Sequence, residues 1–123
     1  MDQRLKVMIV EDNKINMKLA KALLEIEGFV VYPCPDAESA QVSLKQLHPD
    51  LILMDIALPG IDGLELTKIL KADKHTNDIK IIALTAYAMK TDHDRVMEAG
   101  CDGYITKPID TRKFTQQIFQ FLK

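Results

Sequence analysis

The stretch LILMDIALPG, Leu51 to Gly60, decides the fold. Four large apolar residues in a row predict a strand buried on both faces, and the run ends abruptly on the carboxylate of Asp55. The same pattern recurs on either side. Leu5–Val10 (LKVMIV) reads as a first strand, Phe29–Pro33 (FVVYP) as a short second, Ile79–Leu84 (IKIIAL) as a fourth, and Tyr104–Ile105 as part of a fifth. Between them lie helical periods. Asn13 is placed to cap a helix with Leu19, Leu23 and Ile26 on one face, closed by Gly28. Asp36 opens a second helix carrying Ala40, Leu44 and Leu47, and Gly63 to about Ala72 forms a third with Leu66, Ile69 and Leu70 inward. Thr91 and Asp94 resemble a capping box for a fourth helix that Gly100 ends. Asp110 caps a fifth, with Phe114, Ile118, Phe121 and Leu122 on one stripe.

Strand alternating with helix five times implies right-handed crossovers and an α/β, doubly wound parallel sheet of five strands. The 123 residues suit one domain with one core, spanning positions 1–123 with no output domain after the last helix. The net charge of -2, with no basic run, speaks against nucleic-acid binding. No apolar run approaches the length of a membrane span, and no secretory signal opens the chain. The two cysteines, Cys34 and Cys101, lie far apart without metal-ligand spacing, so a reducing cytoplasm is the expected location.

In an open parallel sheet the functional site lies beyond the carboxyl ends of the strands. Glu11 and Asp12 follow the first strand, Asp55 ends the third, Thr85 follows the fourth and Lys107 the fifth. Three carboxylates gathered at one place repel one another, and a hard dication with oxygen ligands relieves this. Mg²⁺ suits the set, with Mn²⁺ as a substitute, whereas zinc and copper do not because no His or Cys converges there. Asp55 is then placed to act as a nucleophile toward phosphorus, with Lys107 and the Thr85 hydroxyl supplying counter-charge and a hydrogen bond to the phosphoryl oxygens.

The segments VEDN, LILMDIALPGIDG, ALTA and YITKP, in that order and spacing, resemble the receiver domain of two-component response regulators over the whole chain. The resemblance implies a flavodoxin-like sheet of order 2-1-3-4-5 and a phosphorelay function. It implies Asp55 as the phosphoacceptor, and Asp12, Asp55 and the Ala57 carbonyl as direct Mg²⁺ ligands with Glu11 acting through water. It further implies Thr85 and Tyr104 as a switch pair, and a cis Lys107–Pro108 bond. Ala57 and Tyr87 occupy positions that the family associates with the lifetime of the phosphoryl group. The EDNKINMKLAKALLE and TAYAMK segments resemble single-domain regulators of the DivK type, which act in bacterial cell division and development.

The implied partners are a histidine kinase or histidine phosphotransfer protein and a downstream regulatory protein. The implied output surface is the fourth helix, fifth strand and fifth helix. Ile15 reads either as a contact for the phosphohistidine partner or as a peripheral core residue, and Phe119 either as helix-edge packing or as a partner contact. The Met residues 17, 54, 89 and 97 read as packing, and His48, His75 and His93 carry no catalytic role. Three other readings compete: a receiver excised from a hybrid histidine kinase, a flavin-binding carrier on the same sheet, and a phosphatase working through aspartyl phosphate. The flavin reading lacks a Ser/Thr- and Gly-rich loop after the first strand. The phosphatase reading lacks a second Asp, since Ala57 stands two residues after Asp55.

Overall fold

The computed structural model describes residues 4–58, 60–86 and 90–122, with the backbone alone for 90–92. The strands are β1 Lys6–Val10, β2 Val30–Cys34, β3 Leu51–Asp55, β4 Lys80–Thr85 and β5 Gly103–Thr106. They alternate with helices α1 Lys14–Ile26, α2 Ala37–Ser43, α3 Gly63–Ala72, α4 Lys90–Glu98 and α5 Phe114–Leu122. All neighbouring strands pair in parallel, in the order β2-β1-β3-β4-β5. The expected doubly wound α/β sheet is therefore the fold.

β3 is the central strand, and Leu51 through Met54 are wholly inaccessible to solvent. Each such side chain contributes about 1.5–3 kcal/mol through burial. Residues alternate between two cores. Leu51 and Leu53, with Val7, Ile9, Ile82, Leu84 and Ile105, meet Ala20 and Leu24 of α1 and Phe114 and Ile118 of α5. Ile52 and Met54, with Met8, Val10, Ile81 and Ala83, meet Ala37 and Ala40 of α2, Leu66 and Leu70 of α3, and Val96 of α4. Sliding β3 back by one residue would draw the Asp55 carboxylate into this apolar interior, at a cost of several kcal/mol. The register Asp55↔Leu84 is thus set by where charge is tolerated.

Several helix faces differ from the sequence reading. In α1 the buried residues are Ala20 and Leu24, while Leu19 and Ile26 are exposed. Small Ala20 is buried in the core on that face of the sheet. Leu19 and Ile26, with Ile15, lie on a second stripe roughly 100° or more around the helix. Ile15, 79% exposed, is therefore no peripheral core residue. In α3, Ile69 is exposed and Thr67 is buried in its stead, because the Thr67 hydroxyl is satisfied by donating to the Gly63 carbonyl at 2.8 Å. Met97 is exposed rather than packed. Helix α2 stops at Ser43, so Leu44 lies in the turn that follows and Leu47 just beyond it.

Helix α4 begins at Lys90, so Thr91 lies inside its first turn rather than ahead of it. The side chain of Thr91, and residues Tyr87 and Met89, fall outside the described residues. Asp110 caps a turn, its carboxylate accepting from the Arg112 N–H at 3.0 Å, and α5 proper starts at Phe114.

Asp62 caps α3 by accepting the Glu65 N–H at 2.8 Å, and Gly63 follows it as the first helical residue. A Cβ built on Gly63 would stand 2.3 Å from the Asp55 carbonyl oxygen and 2.7 Å from Ile56 Cα, both backbone atoms. Only glycine lets α3 start this close to the end of β3. Gly63→Ala is expected to destabilise the protein by about 1–3 kcal/mol, the range for an overpacked interior. A urea melt indistinguishable from wild type would contradict this.

Candidate functional site

The carboxyl ends of β1, β3, β4 and β5 converge on one acidic pocket. Glu11 directly follows β1 and is buried; Asp12, next to it, is exposed. Asn13 caps α1, its side chain accepting the N–H groups of Ile15 and Asn16 at 3.0 Å each. The Asn13 N–H in turn reaches Glu11 Oε2 at 3.3 Å, which ties the helix start to the carboxylate. Asp55 is 3% exposed. Its Oδ1 accepts the Ala57 N–H at 2.9 Å and its Oδ2 lies 3.1 Å from Lys107 Nζ. The same ammonium is 3.0 Å from Glu11 Oε1. Lys107 is held by its own backbone, whose N–H donates to the Thr85 carbonyl at 2.7 Å, and by a cis bond to Pro108. Thr85 is buried at the end of β4, one residue beyond the partner of Asp55.

One ammonium faces three carboxylates, and the pocket's proton affinities record the imbalance. Burial, and then the proton it shares with Asp55, push Glu11 up to about 7, against a smaller opposing effect of Lys107. Burial also acts to raise Asp55. The hydrogen bonds from Glu11, from the Ala57 N–H and from Lys107 outweigh it and hold Asp55 below the usual carboxylate range. Burial acts to lower Lys107, and its two carboxylate partners overcome this and raise it.

The donor set fits a hard dication. One oxygen each from Glu11, Asp12 and Asp55 lie within 4.8 Å of one another. Glu11 Oε1 is buried and meets no hydrogen bond of good geometry, its neighbour being the Lys107 ammonium at 3.0 Å, which it shares with Asp55. Buried carboxylate oxygens that share a single ammonium, with no His or Cys among the donors, suit a Mg²⁺-type site better than a zinc or copper one.

The other residues singled out from the sequence lie elsewhere. Ile15 stands exposed at the start of α1, beside the pocket. Tyr104 is 36% exposed, its ring against His93 of α4. Phe119 packs on Phe29 with ring centroids 5.0 Å apart, at the amino ends of the strands and away from the pocket. Two supporting residues escaped the sequence reading in their role at the site. Asn13 was visible only as a cap. Gly63 was visible only as a helix start, although a glycine immediately after a capping Asp, where other residues serve a helix better, is a signal of close backbone approach.

Comparison with known proteins accords with this architecture. The family model described as "Response regulator receiver domain" matches residues 7–119. A polar-differentiation response regulator DivK from Brucella ovis is 47% identical over 116 residues, covering 94% of each chain. Among solved structures, a putative response regulator from Chloroflexus aurantiacus superposes with a TM-score of 0.92 at 26% identity, covering 98% of both chains. The receiver domain of a sensor histidine kinase from Pseudomonas aeruginosa, solved with a magnesium ion coordinated in its active-site cleft, superposes with a TM-score of 0.87 at 30% identity, covering 97% of this chain and 98% of that one.

The fold and its acidic edge thus define a signalling switch of two-component systems rather than a classical enzyme. The chain belongs to the response regulator receiver domain family. The flavin and phosphatase readings end with that assignment.

A pH dependence follows for the metal-free protein. Glu11 binds its proton more tightly folded, near 7, than its ordinary 4.5. Its contribution to stability is therefore fully present below 4.5 and lost as pH rises through about 7. Urea melts in EDTA across this window are expected to show the decline, and Glu11→Gln, which cannot ionise, is expected to flatten it.

Proposed function

We propose that this chain is a phosphoacceptor switch, in which Asp55 receives a phosphoryl group from a phosphohistidine of a histidine kinase or histidine phosphotransfer protein. The observation that carries this reading is the buried carboxylate of Asp55, held from one side by the Ala57 N–H and from the other by Lys107, at the end of the central strand. A carboxylate held below its usual proton affinity stays ionised and nucleophilic at neutral pH.

In the transfer, one Asp55 oxygen attacks phosphorus and forms the new P–O bond. The P–N bond of the donor breaks, and its electron pair leaves with the imidazole, which takes a proton from solvent. Lys107 keeps its charge throughout and pairs with a phosphoryl oxygen, while the Thr85 hydroxyl donates to another. Mg²⁺, or Mn²⁺ in its place, would be held by Glu11, Asp12, Asp55 and the Ala57 carbonyl, and supplies when bound the positive charge that offsets phosphoryl and carboxylate repulsion. Hydrolysis reverses the state when water attacks the phosphoryl group beside the small side chain of Ala57, so the chain catalyses only its own phosphorylation and dephosphorylation.

Phosphorylation acts through its differential interaction with two states. Movement of Thr85 toward the phosphoryl group opens space for Tyr104 to turn inward, and the surface of α4, β5 and α5 passes the change to a downstream regulatory protein. Exposed Ile15 beside the pocket is the contact for the phosphodonor. The likeness to DivK supports a single-domain, cytoplasmic regulator of bacterial cell-cycle or developmental control. The likeness to a sensor-kinase receiver supports, as a second reading, a receiver that works within a hybrid kinase.

Acetyl phosphate with Mg²⁺ is expected to add one phosphoryl group to the wild-type chain and none to Asp55→Asn, read by intact-protein mass spectrometry. Equal labelling of both would refute the assignment. Lys107→Ala is expected to retain Mg²⁺ binding by calorimetry yet to lose the spectral changes that beryllofluoride produces in wild type. Lost metal binding with normal switching would overturn the role given to the lysine.

A further inference from the structure

Tyr104 and Thr85 share one face of the sheet. β4 and β5 pair in the register Ala83↔Tyr104 and Thr85↔Thr106, and registered residues of parallel strands point the same way. That is the face covered by α4, since Ala83 packs with Val96 and Ala99. The residue beside Tyr104 on β4 is thus a small alanine, which leaves the ring a path along the sheet. Yet Tyr104 stands outward, 36% exposed. What it meets there is His93 of α4, in a T-shaped arrangement with ring centroids 4.8 Å apart and planes inclined at 64°. His93 is itself only half-covered, and its Nδ1 lies 3.7 Å from Asp94 Oδ1. Neither ring has the burial that a purely structural aromatic pair would offer.

We infer that His93 is a latch on the switch: its ring holds Tyr104 in the outward position and so keeps the output face of α4 and β5 in its resting state. The inference rests on the phosphoacceptor reading for what the outward position means. An edge-to-face aromatic pair is directional and is worth enough to bias two rotamers by about two- to tenfold. It acts only on the outward state, because an inward-turned Tyr104 leaves His93. A contact present in one state and absent in the other is what a two-state element needs in order to set its own resting balance. Phosphorylation at Asp55 must then overcome the latch. His93 is accordingly a positioning residue acting through Tyr104, not part of the chemistry.

The test is ¹⁹F NMR of the full chain carrying fluorotyrosine. Among the three tyrosines the Tyr104 signal is assigned by its loss in Tyr104→Phe. Wild type is compared with His93→Ala, His93→Gln and His93→Phe, each with and without beryllofluoride and Mg²⁺. Because His93 is at the surface, the three variants are expected to fold, and urea melts close to wild type check this. Removing the ring, in His93→Ala and His93→Gln, is expected to move the untreated Tyr104 signal toward its beryllofluoride position by a two- to tenfold population change. His93→Phe, which restores an aromatic edge, is expected to stay with wild type. Two results overturn the latch while leaving Asp55 its role: a wild type that responds to beryllofluoride beside Ala and Gln variants that rest where wild type does, or a Phe variant that shifts as far as Ala. A wild-type Tyr104 that ignores beryllofluoride overturns the latch together with the Thr85–Tyr104 switch, while Asp55 as phosphoacceptor stands or falls on the mass-spectrometric labelling.

Discussion

The contact on which the rest depends is the ammonium of Lys107 set between Glu11 Oε1 and Asp55 Oδ2, at 3.0 and 3.1 Å. Two carboxylates buried side by side at the edge of an apolar core are unfavourable without a cation. Lys107 offsets part of that cost, and burial, followed by the hydrogen bond with Asp55, still pushes Glu11 up to about 7. The pocket is therefore underneutralised by construction. That unmet negative potential makes this rim of the sheet suited to a hard dication.

The fold exists to hold that contact still. Asp55 cannot retreat, because four solvent-free residues precede it in the central strand. It cannot advance, because α3 starts against its own backbone at Gly63. Lys107 is positioned from a different strand by its backbone bond to Thr85. Glu11 is tied to the start of α1 through Asn13. Each charged group thus hangs from a rigid element through backbone interactions, the arrangement that leaves least to reorganise when charge moves. Tyr104 and His93, by contrast, are side chains partly open to solvent at the edge of the sheet, held by each other's rings.

Much of this could be read from the chain before any coordinates. Apolar runs punctuated by polar residues located the five strands, and their parallel direction followed from the alternating helices, while the order 2-1-3-4-5 came from the resemblance to receiver domains. The acidic residues at strand ends identified the pocket because a strand has only one direction in which to end. Helix faces were read less well. Hydrophobicity alone puts Leu19, Ile26 and Ile69 inward, but burial goes to Ala20, Leu24 and Thr67. Small residues win where a helix must come close to the sheet, and a hydroxyl is tolerated when it bonds its own helix, as Thr67 does to Gly63.

The sequence by itself determined the order of elements, the sheet, and the identity of the groups at its carboxyl edge, because periodicity and strand ends are local properties. Only the tertiary structure decided what those groups do to one another: the lysine shared by Glu11 and Asp55, the burial of Glu11, the backbone approach at Gly63 and the ring pair of His93 and Tyr104. Each of these depends on distances between segments remote along the chain. Such distances are set by how closely helices pack on the sheet, and no window of neighbouring residues contains that information.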